Sequence, residues 1–336
     1  LKATRLWITA PFDVSPREFE LADVPGPGQA LIEIQRSLIS AGTELAIVTG
    51  THIGFTTGAA WPRYPMALGY TALGRVRAVG EGVAGLKEGQ RVLSSAPHAS
   101  RALVDATQLL PVPDDCSDDA ALLGYLASIP LQGIRLAEPR LGEGMVVFGQ
   151  GLIGALAARF GRINGCRPVL GVDPIAERRE LAASAGIVPV DPGAADPLTV
   201  FRELSGGRAP EIVIEATGAP TVIPEALRIA GEMARVVLLG SPRGRVEIDP
   251  YSDIHRKGVM VIGAHARTAP AVATPDNPFT TERNRQVALT LIGDGSLAVE
   301  GLVSHRIAPS AAANTYRALA DRASGYLGVV IDWSAP

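Results

Sequence analysis

The period of the apolar positions changes near residue 118. Before that point, short β-rich runs at 3–9, 30–37, 74–79, 90–94, 101–104 and 110–112 are parted by turns such as Pro25-Gly26-Pro27-Gly28, and no helical period dominates. This pattern predicts an irregular, compact β-rich unit. The stretch 118–137 reads as a helix, with Asp114, Asp115, Ser117 and Asp118 near its start, where acidic and hydroxyl side chains suit a helix N-terminus. Strands and helices then alternate. Strands are expected at 145–148, 169–172, 188–190, 212–215, 236–239 and 259–262, and helices at 152–164, 175–185, 198–204 and 221–230. Short apolar strands separated by helices predict a parallel sheet covered on both faces, and six of them complete a doubly wound sheet. Two more helices, 281–293 and 310–322, lead to a closing strand at 327–333 that is expected to rejoin the first unit. The expected domains are 1–118 together with 266–336, and 119–265.

Composition adds limits. A length of 336 residues suits two domains. The net charge is −3 and the charges are interspersed, which leaves no basic footprint for nucleic acid. No apolar run reaches the 18 residues of a membrane helix, and no signal-peptide pattern precedes the first strand, which Leu1 rather than Met opens. The two cysteines, Cys116 and Cys166, suit a reducing compartment and rule out a four-cysteine zinc site. These features lead us to expect a cytoplasmic enzyme acting on a small molecule, with no membrane span and no nucleic-acid partner.

The clearest chemistry lies at the first α/β turn. Gly149-Gln150-Gly151-Leu152-Ile153-Gly154 places a GxGxxG directly after an apolar strand and at the start of a helix. In that context Gly149 allows the tight turn, Gly151 lets the backbone approach a pyrophosphate, and Gly154 lets helix pack on strand. The helix N-terminus offers N–H groups and its dipole to the phosphates. Asp173, at the end of the second strand, stands 19 residues after Gly154, the spacing of an acid that binds the adenosine ribose. A 2′-phosphate would meet that carboxylate, and Pro174 has no N–H to offer it, so NAD is expected rather than NADP. Arg178 and Arg179, a turn further on, read as a solvated helix face. The turns after the fourth and fifth strands supply further expected cofactor contacts at Thr217, Gly240 and Ser241.

In this order and spacing the motifs resemble the medium-chain dehydrogenase/reductases over nearly the whole chain. They are Pro25-Gly26-Pro27-Gly28-Gln29-Ala30-Leu31-Ile32, then Val79-Gly80-Glu81-Gly82-Val83 followed by Leu86-Lys87-Glu88-Gly89-Gln90-Arg91-Val92, and the Gly149–Gly154 turn. The resemblance implies a GroES-like β-rich catalytic domain, a Rossmann domain, and an active site in the cleft between them; a homodimer is also expected. Departures from the family pattern imply a zinc-less member. The catalytic cysteine position of zinc alcohol dehydrogenases is Ala41, their Gly-His-Glu matches Gly69-Tyr70-Thr71, their later cysteine falls near Leu126, and the structural zinc lobe has no counterpart. Ser40-Ala41-Gly42-Thr43-Glu44-Leu45 and Val330-Ile331-Asp332-Trp333 also resemble bacteriochlorophyllide a dehydrogenase and related bacterial enzymes. Those oxidise a secondary alcohol on a bulky substrate with NAD.

Without zinc, hydrogen-bond donors and a proton relay must stabilise the substrate oxygen. The expected catalytic residues are Tyr70, in place of a histidine ligand; Thr43, matching the family's hydroxyl relay; Glu44, the acid that follows it; and His265, after the sixth strand at the sheet's carboxyl edge. Thr43 reads equally as a helix cap and Tyr70 as a buried structural tyrosine. Ser40 and His98 are weaker candidates, and His255 and His305 read as structural or solvent-facing. The aromatic stretch 51–64, with His52, Phe55, Trp61 and Tyr64, reads as a pocket wall or a self-anchored loop. The leading expectation is NAD-dependent interconversion of a secondary alcohol and a ketone. The alternatives are C=C reduction of the enoyl or quinone type, redox-neutral epimerase or lyase chemistry with retained NAD, and a catalytically silent NAD-binding protein.

Overall fold

A computed structural model of the chain describes residues 1–334 in two units. The first comprises 1–125 and 303–334, the second Leu126–Leu302.

In the first unit, a seven-stranded sheet runs in the order Val303–Ile307, Gly328–Asp332, Gln29–Leu38, Ala72–Val79, Arg91–Ser94 and Leu110–Pro111, with Arg101–Asp105 also paired to Gln29–Leu38. The closing strand returns as expected, pairing Val330 with Leu38 and Ile331 with Ser37. A second sheet orders Val14–Glu20, Lys2–Ile8 and Met66–Ala67. Two apolar cores follow. One holds Ile32, Ile34, Val76 and Val92, and the other joins Leu6, Ile8, Ile39 and Ile47 to Tyr316 and Ile331. Three strands escape sequence inspection. Val14–Glu20 carries Pro16 and alternating charges, Met66–Ala67 is two residues long, and Val303–Ile307 buries none of its five residues fully. Each lies at an edge, where pairing rather than apolar content makes the strand.

The second unit is the expected doubly wound sheet. Its six strands are all parallel, in the order Val188–Val190, Val169–Val172, Met145–Phe148, Ile212–Glu215, Arg235–Leu238 and Met260–Gly263. The strand order reverses between Met145–Phe148 and Ile212–Glu215, the switch point beside which ligands bind in such sheets. Val146, Phe148, Leu170, Val172, Val213 and Val236 form its core with Phe201 and Leu227 from the covering helices.

Both expected domain boundaries shift. The helix Asp118–Ala137 begins in the first unit because Arg91 Nη2 holds Asp118 at 2.8 Å and Arg36 Nη1 holds Asp119 at 3.1 Å. The segment after 265 stays in the second unit up to Leu302, rather than leaving at 266. There Asn284 of helix Thr281–Gly293 donates to Gln132 (3.1 Å) and accepts from Arg135 Nε (2.8 Å). Asp118–Ala137 is long and apolar enough to cross a membrane, yet 78% of its apolar window is buried inside the protein, as a core helix would be.

Candidate functional site

The glycine-rich turn is built as its sequence requires. Gly149 has φ +85°, a conformation that disfavours any side chain. A Cβ on Gly154 would lie 1.8 Å from the Gly149 carbonyl oxygen, so only glycine lets helix Leu152–Ile163 start so close to the strand. A Cβ on Gly151 would meet nothing within 4 Å, and no side chain caps this helix N-terminus. Unhindered backbone at an uncapped helix end is the cradle a diphosphate takes. The residues fit a dinucleotide. Leu152 is buried and Ile153 half-buried. Gln150 turns inward, its amide reaching the Val147 and Gly149 carbonyls (both 3.2 Å), while its N–H is given to Asp173 Oδ2 at 2.7 Å.

Asp173 is buried at the end of Val169–Val172, and its other oxygen accepts Ile175 N–H at 2.9 Å. Arg178 Nη1 stands 3.6 Å from Asp173 Oδ2. Arg179 donates to the Asp173 carbonyl (2.8 Å) and pairs with Asp191 (2.9 Å). The two arginines are therefore anchored around the acid and do not form a free solvated face. Thr217 N–H and hydroxyl both donate to Glu215, whose backbone carbonyl in turn accepts Gly240 N–H at 2.7 Å.

In the first unit, Ser40 takes the N-cap position of helix Ala41–Val48, which places Thr43 within the first turn rather than at its cap. Tyr70 donates its hydroxyl to Ser40 Oγ. Burial pushes the Tyr70 phenol above its ordinary value and the nearby Glu44 adds to this, while hydrogen bonds with Ser40 and Thr43 pull the other way. Tyr70, Ser40 and Thr43 thus form one group of hydroxyls. Behind it, Glu44 is buried. Its Oε1 accepts Ser40 N–H (2.8 Å), and its Oε2 meets His98 Nε2 (2.9 Å) and the Tyr316 hydroxyl. His98 Nδ1 lies 2.8 Å from Ser37 Oγ, which also accepts Trp333 Nε1–H at 2.9 Å. Burial raises the Glu44 pKa, but the His98 charge and the hydrogen bonds from His98, Tyr316 and Ser40 outweigh it, leaving the carboxyl below its usual range. Sequence inspection names Glu44 and ranks His98 low, and it gives Ser37, Tyr316 and Trp333 no place in the site. The partners lie 54 and 272 positions from Glu44, so no local pattern announces them.

His265 belongs to the second unit. It is exposed, and its Nδ1 accepts Arg267 N–H at 3.1 Å, capping the short turn Ala266–Thr268. His52 likewise caps helix Ile53–Thr57, with its ring edge-on to Trp61 at 4.9 Å. Phe55 packs on Tyr64 at 4.7 Å, so the stretch 51–64 is anchored by its own aromatics. His255 stacks on Tyr251 and His305 on Tyr326.

The positions that would match zinc ligands carry Ala41, Tyr70, Thr71 and Leu126, which supply no thiolate, imidazole or carboxylate. Among the described residues, no group of three His, Cys, Asp or Glu side chains is placed to hold a metal ion. This donor set does not fit zinc.

Residues 26–114 match the family model of the alcohol dehydrogenase GroES-like domain, and residues 153–277 match that of the zinc-binding dehydrogenase. An alcohol dehydrogenase from Cupriavidus necator is 26% identical, with 95% of this chain and 96% of that protein covered. Two solved structures share the fold. One is a zinc-binding dehydrogenase from Sinorhizobium meliloti 1021 bound to NADP (TM-score 0.81, 22% identity, 99% of each chain covered). The other is an alcohol dehydrogenase from Escherichia coli CFT073 complexed with NADH (TM-score 0.81, 20% identity, 98% of this chain and 99% of that one). With its GroES-like domain and parallel doubly wound sheet, the chain is an alcohol-dehydrogenase-like medium-chain dehydrogenase/reductase.

Proposed function

We propose that this oxidoreductase interconverts a secondary alcohol and a ketone, with NAD(H) as hydride carrier and no catalytic metal. The observation that carries the proposal is the Tyr70–Ser40 hydroxyl pair, with Tyr70 at a position that matches a zinc ligand of the family and Ser40 next to another, Ala41. When bound, the nicotinamide gives or takes a hydride. The protein must then supply a proton to the oxygen that gains negative charge. Tyr70 suits that task, since its raised pKa keeps the phenol protonated at neutral pH. Ser40 Oγ orients the phenol, and Thr43 adds a second hydroxyl to the group. In the opposite direction Tyr70 takes the alcohol proton, by microscopic reversibility.

Gly149, Gly151 and the amides of Leu152, Ile153 and Gly154 would hold the diphosphate, with Thr217, Gly240 and Ser241 lining the turns beyond. Asp173 supports NAD over NADP, because a 2′-phosphate would meet its carboxylate. The two free buried cysteines suit a reducing cytoplasm. A homodimer is proposed through the strand Met260–Gly263, an edge whose Met260 and Val261 are 48% and 43% exposed.

The test is NADH oxidation over a panel of aliphatic and aromatic ketones, using protein stripped with a chelator and assayed for zinc. Turnover is expected to survive stripping, and Tyr70→Phe is expected to lose about two orders of magnitude in kcat. One zinc per chain with activity lost on chelation would sink the metal-free proposal. A Tyr70→Phe enzyme with full kcat would remove Tyr70 as proton donor.

A further inference from the structure

Of the three turns assigned to the cofactor, one residue secures 216–218 and 240–241, and 216–218 in turn abuts 149–151. Glu215 ends the strand Ile212–Glu215, in register with Phe148 on one side and Leu238 on the other. Its main chain secures the fifth-strand turn, since its carbonyl accepts Leu239 N–H (2.9 Å) and Gly240 N–H (2.7 Å). Its side chain secures the fourth-strand turn. Oε1 accepts Thr217 N–H (2.7 Å), Gly218 N–H (3.1 Å) and the Thr217 hydroxyl.

The turn held in this way is wedged between the other two. A Cβ on Gly149 would lie 2.9 Å from Thr217 Cγ2 and 3.1 Å from Thr217 N, and one on Gly154 would lie 3.2 Å from Ala216 Cβ. On the other side, a Cβ on Gly240 would lie 2.4 Å from Gly218 N and 2.8 Å from Glu215 Oε2. Displacement of 216–218 would therefore press on the pyrophosphate turn and the fifth-strand turn together. Glu215 is fully buried, forms no ion pair, and leaves Oε2 without a hydrogen-bond partner. A buried carboxyl with no countercharge is costly, and an apolar side chain would pack there without that cost. What the carboxyl supplies is an acceptor for three donors of one turn.

We propose that Glu215 is a positioning residue for the nicotinamide cofactor, acting through Thr217 and Gly218 as a hydrogen-bond acceptor rather than through its charge. Burial pushes the Glu215 pKa above its ordinary value, while the hydrogen bonds from Thr217 and Gly218 pull the other way. The inference rests on the cofactor assignment above.

The experiment is NADH titration by fluorescence, alongside thermal melting, for wild type, Glu215→Leu and Glu215→Gln. Glu215→Leu is expected to weaken NADH about tenfold or more, because the N–H groups of Thr217 and Gly218 lose their acceptor. Glu215→Gln is expected to recover affinity to within about threefold of wild type, since its side-chain oxygen accepts the same donors. A purely structural role would track melting temperature instead of separating Gln from Leu. Unchanged affinity in folded Glu215→Leu overturns the proposal, as does equal weakening of both variants, which would assign the effect to charge. If Glu215→Leu fails to fold, Gly240→Ala replaces it. Its Cβ must push Gly218 and Glu215 apart, and wild-type NADH affinity in that variant overturns the proposal. No saturable signal from wild type with either NADH or NADPH is instead a failure of the cofactor assignment, and the inference falls with it.

Discussion

Tyr70 and Glu44 show how two neighbouring ionisable side chains take opposite directions from the same burial. The phenol is hydrogen-bonded only to neutral hydroxyls and is driven up, whereas the carboxyl faces His98 and two further donors, Tyr316 and Ser40, and is driven down. Two predictions follow from the signs. In the proposed reaction, ketone reduction draws on the protonated phenol, so its rate is expected to hold at neutral pH and fall as pH rises through the raised Tyr70 pKa. Alcohol oxidation is expected to gain over the same range. A pH series of kcat in both directions reads this, and a reduction rate that rises with pH would contradict it. For stability, Glu44 is lowered in the folded state from a value of 4.5, so its contribution is full above that value and is lost as pH falls through the lower folded pKa. His98→Leu removes the partner of a buried carboxyl and is expected to cost about 3–5 kcal/mol in urea unfolding near neutral pH. A change under about 1 kcal/mol would mean that Glu44 finds other compensation.

At the scale of elements, legibility followed the source of stability. The four inner parallel strands and Asp118–Ala137 could be read because their burial is carried by their own apolar residues, as in the four buried positions of Met145–Phe148. Phe201 of helix Pro197–Ser205 illustrates the energy involved. It is fully buried against the sheet core, and a Cβ on Gly144 would lie 2.2 Å from its ring. Phe201→Ala is expected to cost about 3–5 kcal/mol in chemical unfolding, and a loss below about 1 kcal/mol would show that the helix collapses into the space. Helix Ala41–Val48 was anticipated only as a cap, since its eight residues have no clear apolar stripe and it is fixed by Ser40 and by the bonds to Glu44. The glycine-rich turn was legible because Gly149 and Gly154 each answer a local steric demand. The Glu44–His98 group was not, because its members come from five separate segments.

At the scale of the molecule, the parallel sheet ends on one side in Met260–Gly263, an edge with apolar side chains and unpaired backbone. Two such edges related by a twofold axis can pair antiparallel, which is why a second copy is the proposed cover. Light scattering is expected to give about twice the chain mass of 35.0 kDa, with Met260→Lys shifting it towards one chain. A wild-type mass of a single chain at micromolar concentration would exclude the dimer.

The Tyr316 and Trp333 bonds bear on the order in which the chain is made. Synthesis delivers Ser37, Glu44 and His98 early, but the side chains that complete their bonding arrive only after all of Leu126–Leu302 has left the ribosome. The second unit is continuous and can condense while translation proceeds; the first must wait with an open seam. A released chain that ends before residue 316 would therefore hold every residue of the second unit, yet leave Glu44 without the Tyr316 hydroxyl and Ser37 without the Trp333 indole.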